Sequence, residues 1–121
     1  MSHLKDYRLC WYLNDALYVD FSRQADIEID NRKASKKFIF SKFQFEEETG
    51  AATFFLISNK YNGGHFLPKF KKVDYLLILS GIIDDGQFER WYAKTKNIDG
   101  VQLITEIDAK FLKPQQELIF R

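Results

Sequence analysis

The 121-residue chain contains a single cysteine, Cys10, and only two histidines, His3 and His65. One cysteine rules out an internal disulfide and any zinc site built from several thiolates, and it fits the reducing cytoplasm better than a secreted context. No spacing joins either histidine to carboxylates in a recognisable ligand pattern, so the sequence implies no metal and no cofactor. Charge of one sign is also missing. Lys and Arg total 18 against 17 for Asp and Glu, so no global field draws the chain to nucleic acid or to an acidic membrane. Long hydrophobic runs are absent too. The longest, "YLLILSGII" and "GAATFFLISN", fall well short of the roughly 20 residues a spanning helix needs. The N-terminal "MSHLKDYRLCWYL" is broken by Lys5, Asp6 and Arg8, so it is no signal peptide. A soluble, cytoplasmic protein is expected, with no membrane partner.

What the chain has in quantity is aromatic side chains: 17% of residues, 12 of them Phe. A chain of this length folds as one domain over residues 1–121 and buries roughly two thirds of its unfolded surface, here largely with rings. Leu4, Tyr7, Trp11 and Leu9, Leu13, Ala16, Leu17 recur at three- and four-residue spacing. They predict an amphipathic helix from Ser2 to about Tyr18 with a wide apolar face, Ser2 capping its start. "DIEID", Asp26 to Asp30, alternates strictly and predicts a short edge strand with Ile27 and Ile29 inward.

Two aromatic runs flank the turn-like "EETG" in "KKFIFSKFQFEEETGAATFFLISNKYNGG", which predicts a hairpin. Its first arm has a phase conflict, since Phe38 and Phe40 share one face while Phe43 and Phe45 share the other. A bulge near Ser41 and Lys42 that resets the register is favoured over a strand covered on both faces. "VDYLLILSG", Val73 to Gly81, is apolar after Asp74 and predicts a central strand. Asp84 and Gln87 suit a capping box for a helix carrying Phe88, Trp91, Tyr92 and Thr95 on one face and ending near Asn97. Val101, Leu103, Thr105 and Ile107 predict a last strand, and "ELIF" a short tail that packs back. Most connections are too short for parallel crossovers. The expected fold is therefore α+β, two-layered, an antiparallel sheet of about five strands with two helices packed on one face.

The stretch "LPKFKKVDY" resembles the signature of a small bacterial family named for the pattern IPExxxVDY. Leu67 stands for its Ile, and Pro68, Val73, Asp74 and Tyr75 fall at the right spacing. "HLKDYRLCWYLN", with Asp6, Tyr7 and Arg8, is similar to the family's helical "DYRLCWALN" region. "LISNK" is similar to its mid-chain strand, and "EIDAKFLKPQQELIF" to its "IDxxxLKSxxNLLF" ending. Lys69 replaces the signature Glu, while Pro114 and Glu117 replace the Ser and Asn of the tail, so a role that needs those groups is not implied for this chain. The resemblance further implies an N-terminal strand upstream of this sequence, whose lack leaves an open sheet edge. It implies no activity, cofactor or catalytic residue.

Candidate sites weigh against structural roles. Pro68 biases Leu67 toward extended backbone, and Val73 and Tyr75 are expected in the core with Asp74 bonded to a loop amide. The competing reading has Asp74 and Lys69 lining a binding surface at the sheet edge. "KDYR", Lys5 to Arg8, reads first as a solvated helix face. Basic residues cluster at Arg32, Lys33, Lys36, Lys37 and at Lys69, Lys71, Lys72, the latter interleaved with Phe66 and Phe70 as single-stranded RNA binding would require. The near-neutral total and the adjacent "FEEE" argue against it. "YNGGH" lacks the context of a phosphate loop, Cys10 reads as packing, and no serine sits in a nucleophile elbow. An enzyme would need Asp6, Asp74 or Glu106 to converge with a base. The reading that remains is a non-catalytic binding or adaptor module, self-associating or docking a protein through the sheet edge or the Lys69 to Lys72 loop. RNA binding through that loop is the alternative, and an enzyme of unknown reaction comes third.

Overall fold

The computed structural model describes residues 5–31, 35–48, 50–61, 63–81, 85–98 and 100–101. The chain begins with helix α1 (Asp6–Leu17), followed by β1 (Ser22–Arg23), β2 (Ile27–Asn31), β3 (Lys36–Phe40), β4 (Lys42–Glu46) and β5 (Ala52–Ser58). A small hairpin of β6 (Lys60–Tyr61) and β7 (Gly64–His65) leads through a 3-10 turn (Pro68–Phe70) into β8 (Tyr75–Gly81) and helix α2 (Asp85–Lys96). The class is α+β. The main sheet is antiparallel, with strand order β1-β4-β5-β8, and β2-β3 and β6-β7 form two separate ribbons.

Helix α1 starts after Lys5, whose backbone is extended, and places Asp6 in its first turn, where the helix dipole favours a carboxylate. It ends at Tyr18, which adopts the left-handed conformation at φ 55°. Asn14 then fixes where the chain goes next: its Oδ1 accepts from the Phe21 N–H at 2.7 Å and its Nδ2 donates to the Phe21 carbonyl at 3.1 Å. A side-chain amide here pairs with a backbone amide as a neighbouring strand would. Ser2, the expected cap, lies outside the described residues.

Side chains on the two faces of the main sheet build two cores. Phe43, Ala52, Phe54 and Leu56 meet Leu9, Cys10, Leu13 and Leu17 of α1 together with Phe21 and Ile98. Trp91 of α2 packs on Phe54 with ring centroids 4.3 Å apart, so both helices share this face. The opposite face carries Phe55, Ile57 and Leu76, closed over by Ile27, Phe40, Phe66 and Leu67. Fully burying each such side chain stabilises the fold by about 1.5–3 kcal/mol.

The phase conflict between Phe38/Phe40 and Phe43/Phe45 resolves at the expected place: Phe38 and Phe40 pack in the second core and Phe43 and Phe45 in the first, so the arm is covered on both faces. Among the described residues β3 pairs with β2 and β4 with β1 and β5, and the register steps by one residue across the break, from Arg23 facing Phe43 to Ile27 facing Phe40. Ser41 is the break between β3 and β4. Crossing it moves the chain from the second core, which holds Phe40, to the first, which holds Phe43.

Other expectations divide similarly. Ile27 is buried in the β2 ribbon, as its alternation predicts. The β4-β5 hairpin turns where "EETG" places it: the Gly50 N–H donates to the Glu47 carbonyl at 2.8 Å, and Gly50 has φ +72°. Gln87 of α2 reaches the same turn, donating to Glu47 Oε1 at 2.9 Å. Among the described residues β5 lies between β4 and β8, and β8 pairs with β5, with Leu77 and Leu79 exposed; the strand expected on the other side of β8 falls on residues that are not described. The apolar face of α1 is also narrower than its periodicity predicts. Leu9, Cys10, Leu13 and Leu17 fill it, and Tyr7 and Trp11 point outward. Val101, where the last strand is expected to start, packs against the first core; the rest of that strand, the "ELIF" tail and the Asp84 cap fall on residues that are not described.

Gly81 closes the β5-β8 pairing opposite Ala52, at φ +116°. A side chain there would collide with the Ala51 carbonyl and lie 2.8 Å from the Ala52 Cα. Gly81→Ala is expected to destabilise the protein by about 2–4 kcal/mol, read as a lower urea midpoint. An unchanged midpoint would contradict this placement of the two strand ends.

Candidate functional site

The signature segment is organised by a residue outside it. Asn59 follows β5 directly and is fully buried, 0% exposed. An amide in that position must have all its polar atoms paired, or it would cost the fold several kcal/mol. Its backbone N–H donates to the Asp74 carbonyl at 2.9 Å, and its carbonyl accepts from the Phe66 N–H at 2.9 Å. Its Oδ1 accepts from the Leu67 N–H at 2.7 Å, and its Nδ2 donates to the carbonyls of Phe70 at 3.0 Å and Val73 at 2.8 Å. Asn59 thus holds both ends and the middle of the loop from Phe66 to Asp74.

Within that loop the residue types explain the path. Leu67 is extended at φ −114°, ψ 96°, as the residue before a proline should be, and Pro68 opens the 3-10 turn, where its missing N–H costs nothing. Leu67 and Phe66 are buried in the second core, and Phe70 and Val73 pack against it. Lys69, Lys71 and Lys72 are exposed. With Phe66 1% exposed, the basic loop offers no ring from that position for a base to stack on, while Phe70 is half-buried.

Tyr75 turns to the helix side and packs against the first core. Burial, and then the negative charges of Asp6 and Asp74, push its phenol up to about 12. The structure therefore brings Asp6 of "KDYR" and the Asp74-Tyr75 pair of the signature into one electrostatic neighbourhood. Both carboxylates have cationic partners. Asp74 Oδ1 lies 2.6 Å from Lys60 Nζ, and Asp6 Oδ2 lies 3.5 Å from Arg23 Nη1, which also reaches Asp26 through Nη2 at 2.7 Å. A phenol titrating near 12 stays protonated at neutral pH and serves as a hydrogen-bonding group, not as a base. Cys10 is equally quiet. Burial, with Asp6 and Asp20, raises its thiol to about 11, and its Sγ donates weakly to the Phe21 carbonyl at 3.6 Å.

Elsewhere the candidate groups scatter. Lys36 and Lys37 are exposed on β3, with Lys37 paired to Glu28 at 3.3 Å; Arg32, Lys33, His3 and Glu106 lie outside the described residues. Among the described residues no group of three or more His, Cys, Asp or Glu could hold a metal ion, and no helix is long and apolar enough to cross a membrane.

The exposed large apolar side chains lie elsewhere: Tyr7 and Trp11 on α1, Tyr18 just after it, Leu77 and Leu79 on β8 and Phe88 on α2. Tyr7 is 60% and Trp11 64% exposed, one helical turn apart, with Arg8 exposed beside them. Trp11 leans edge-on against Tyr12, centroids 5.2 Å apart. Sequence reasoning placed Tyr7 and Trp11 in the apolar face, and it passed over Asn59 because a lone amide after an apolar strand has no local pattern. Comparison of the chain with protein families, characterised proteins and solved structures finds no match in any of the three.

Replacing Asn59 by Ala would strip the Leu67 N–H and the Phe70 and Val73 carbonyls of a buried partner. Asn59→Ala is expected to cost about 3 kcal/mol or more in urea denaturation, against less than about 1 kcal/mol for Lys60→Ala in its partly exposed ion pair. Equal costs for the two variants would refute the assignment of the loop to Asn59.

Proposed function

We propose that this chain is a small non-catalytic protein-binding module, a member of the IPExxxVDY family, that docks through the outward face of α1. The observation that carries this reading is the pair of rings at Tyr7 and Trp11, held in water beside Arg8. Trp, Tyr and Arg dominate the energy of protein interfaces, and rings on a helix are already ordered before a partner arrives. A module with no binding role gains nothing from exposing them.

The family assignment rests on the way its signature residues form one continuous device. Leu67 and Pro68 start the turn, Val73 closes it into the core, and Asp74 and Tyr75 lead into β8 beside Asp6. In this reading the signature is a structural element, so Lys69, exposed on the turn, replaces the family Glu without disturbing it. The interaction surface moves from the sheet edge and the Lys69 to Lys72 loop to α1. The single buried thiol suits the cytoplasmic placement proposed here.

A photo-crosslinking benzoylphenylalanine placed at position 7, and in a separate protein at position 71, tests this by irradiation in cells. Protein adducts are expected from position 7 and none from position 71. Nucleic-acid adducts at 71, or an absence of protein adducts at 7, would overturn it.

A further inference from the structure

The outward face of α1 carries opposite charges at a spacing that makes it complementary to itself. Leu9, Cys10, Leu13 and Leu17 are buried, so at 100° per residue the direction pointing straight away from the core passes through Arg8, Trp11 and Asp15. All three are exposed. Arg8 and Asp15 are seven residues apart, two turns along the same stripe, with Trp11 between them.

We propose that the occupant of this face is a second copy of the chain, its α1 antiparallel to the first about a two-fold axis between Trp11 and Tyr12. This rests on the reading of α1 as a protein-docking face and names the partner. In that arrangement Arg8 of each copy meets Asp15 of the other, twice by symmetry, and the two Trp11 rings meet near the axis. A two-fold contact requires a patch that matches itself, and a cation and an anion equidistant from an axis between Trp11 and Tyr12 meet that requirement. A parallel pairing would set Arg8 against Arg8 and Asp15 against Asp15. The net charge of +1 leaves no overall repulsion between copies.

The contact is modest in size. Twelve residues of helix extend only about 18 Å, so the footprint lies below the roughly 800 Å² per partner of a standard interface. The dimer is therefore weak and forms where the protein is concentrated.

Sedimentation equilibrium over about 1–500 μM decides it, using the unaltered protein, Arg8→Asp, Asp15→Arg and the double exchange. The unaltered chain is expected to pass from monomer to dimer mass. Either single reversal puts like charges in register and weakens the dimer by about tenfold or more, and the double exchange recovers affinity to within about threefold. These exchanges lie on the exposed face, and an unchanged circular dichroism spectrum verifies folding. A monomer at every concentration, a dimer indifferent to both single reversals, or a double exchange that fails to recover overturns the inference. If crosslinks from position 7 then carry a different protein, the docking reading stands and only the second copy is lost; if they carry no protein, both fall.

Discussion

A single buried amide sets the terms for much of this fold. The chain from Phe66 to Asp74 has to cross the second face of the sheet without being a strand, so its backbone groups have no ladder to pair with. Asn59 supplies the missing partner. It stands at the end of β5 with every polar atom engaged, and it turns five turn and loop residues, Phe66, Leu67, Phe70, Val73 and Asp74, into a fixed surface. Phe66 and Leu67 can then close the second core, and Tyr75 enters β8 in the register that sends its ring to the helix side. An ester-like acceptor or an apolar side chain could not replace this amide, since donor and acceptor are both needed within a dry site. Asn14 does the same on a smaller scale at the end of α1.

The two cores explain why so aromatic a chain divides its rings so evenly. A sheet of four short strands covered by two helices has a second face that must be covered as well, and the β2-β3 ribbon and the Asn59-held loop cover it. The break at Ser41 feeds both: β3 serves one face and β4 the other, within eleven residues of continuous sequence from Lys36 to Glu46.

How much of this could be read beforehand depended on the range of the interactions. Local periodicity and turn chemistry found α1, the "DIEID" strand, the hairpin about Gly50, α2 and the antiparallel α+β class. The phase of four phenylalanines located the break at Ser41 and offered a register step or cover on both faces, but not which strands supply the pairing, because those partners lie far along the chain. Continuous apolar character marked β8 but not β5 as central, since β5 and β8 are alike in composition and the pairing of β5 with both β4 and β8 is a matter of distant neighbours. Periodicity also counted Tyr7 and Trp11 as core, although the Leu9, Cys10, Leu13 and Leu17 stripe already fills the space beneath α1. Of the candidate residues, Leu67, Pro68, Val73, Asp74 and Tyr75 do form one unit, and Asp6 adjoins it through Tyr75. The residue that holds them lies eight positions before Leu67, where only tertiary structure gives it meaning.

The division of labour that results is a rigid signature loop inside and an aromatic, charged helix face outside. Native-state hydrogen exchange at the Leu67 amide, compared with the β5 amides, tests the first half most directly. If Asn59 makes the loop part of the core, Leu67 exchanges only through global unfolding, with the same denaturant dependence as Leu56 and Ile57. Exchange of Leu67 through a low-energy local opening, insensitive to denaturant, would contradict the account.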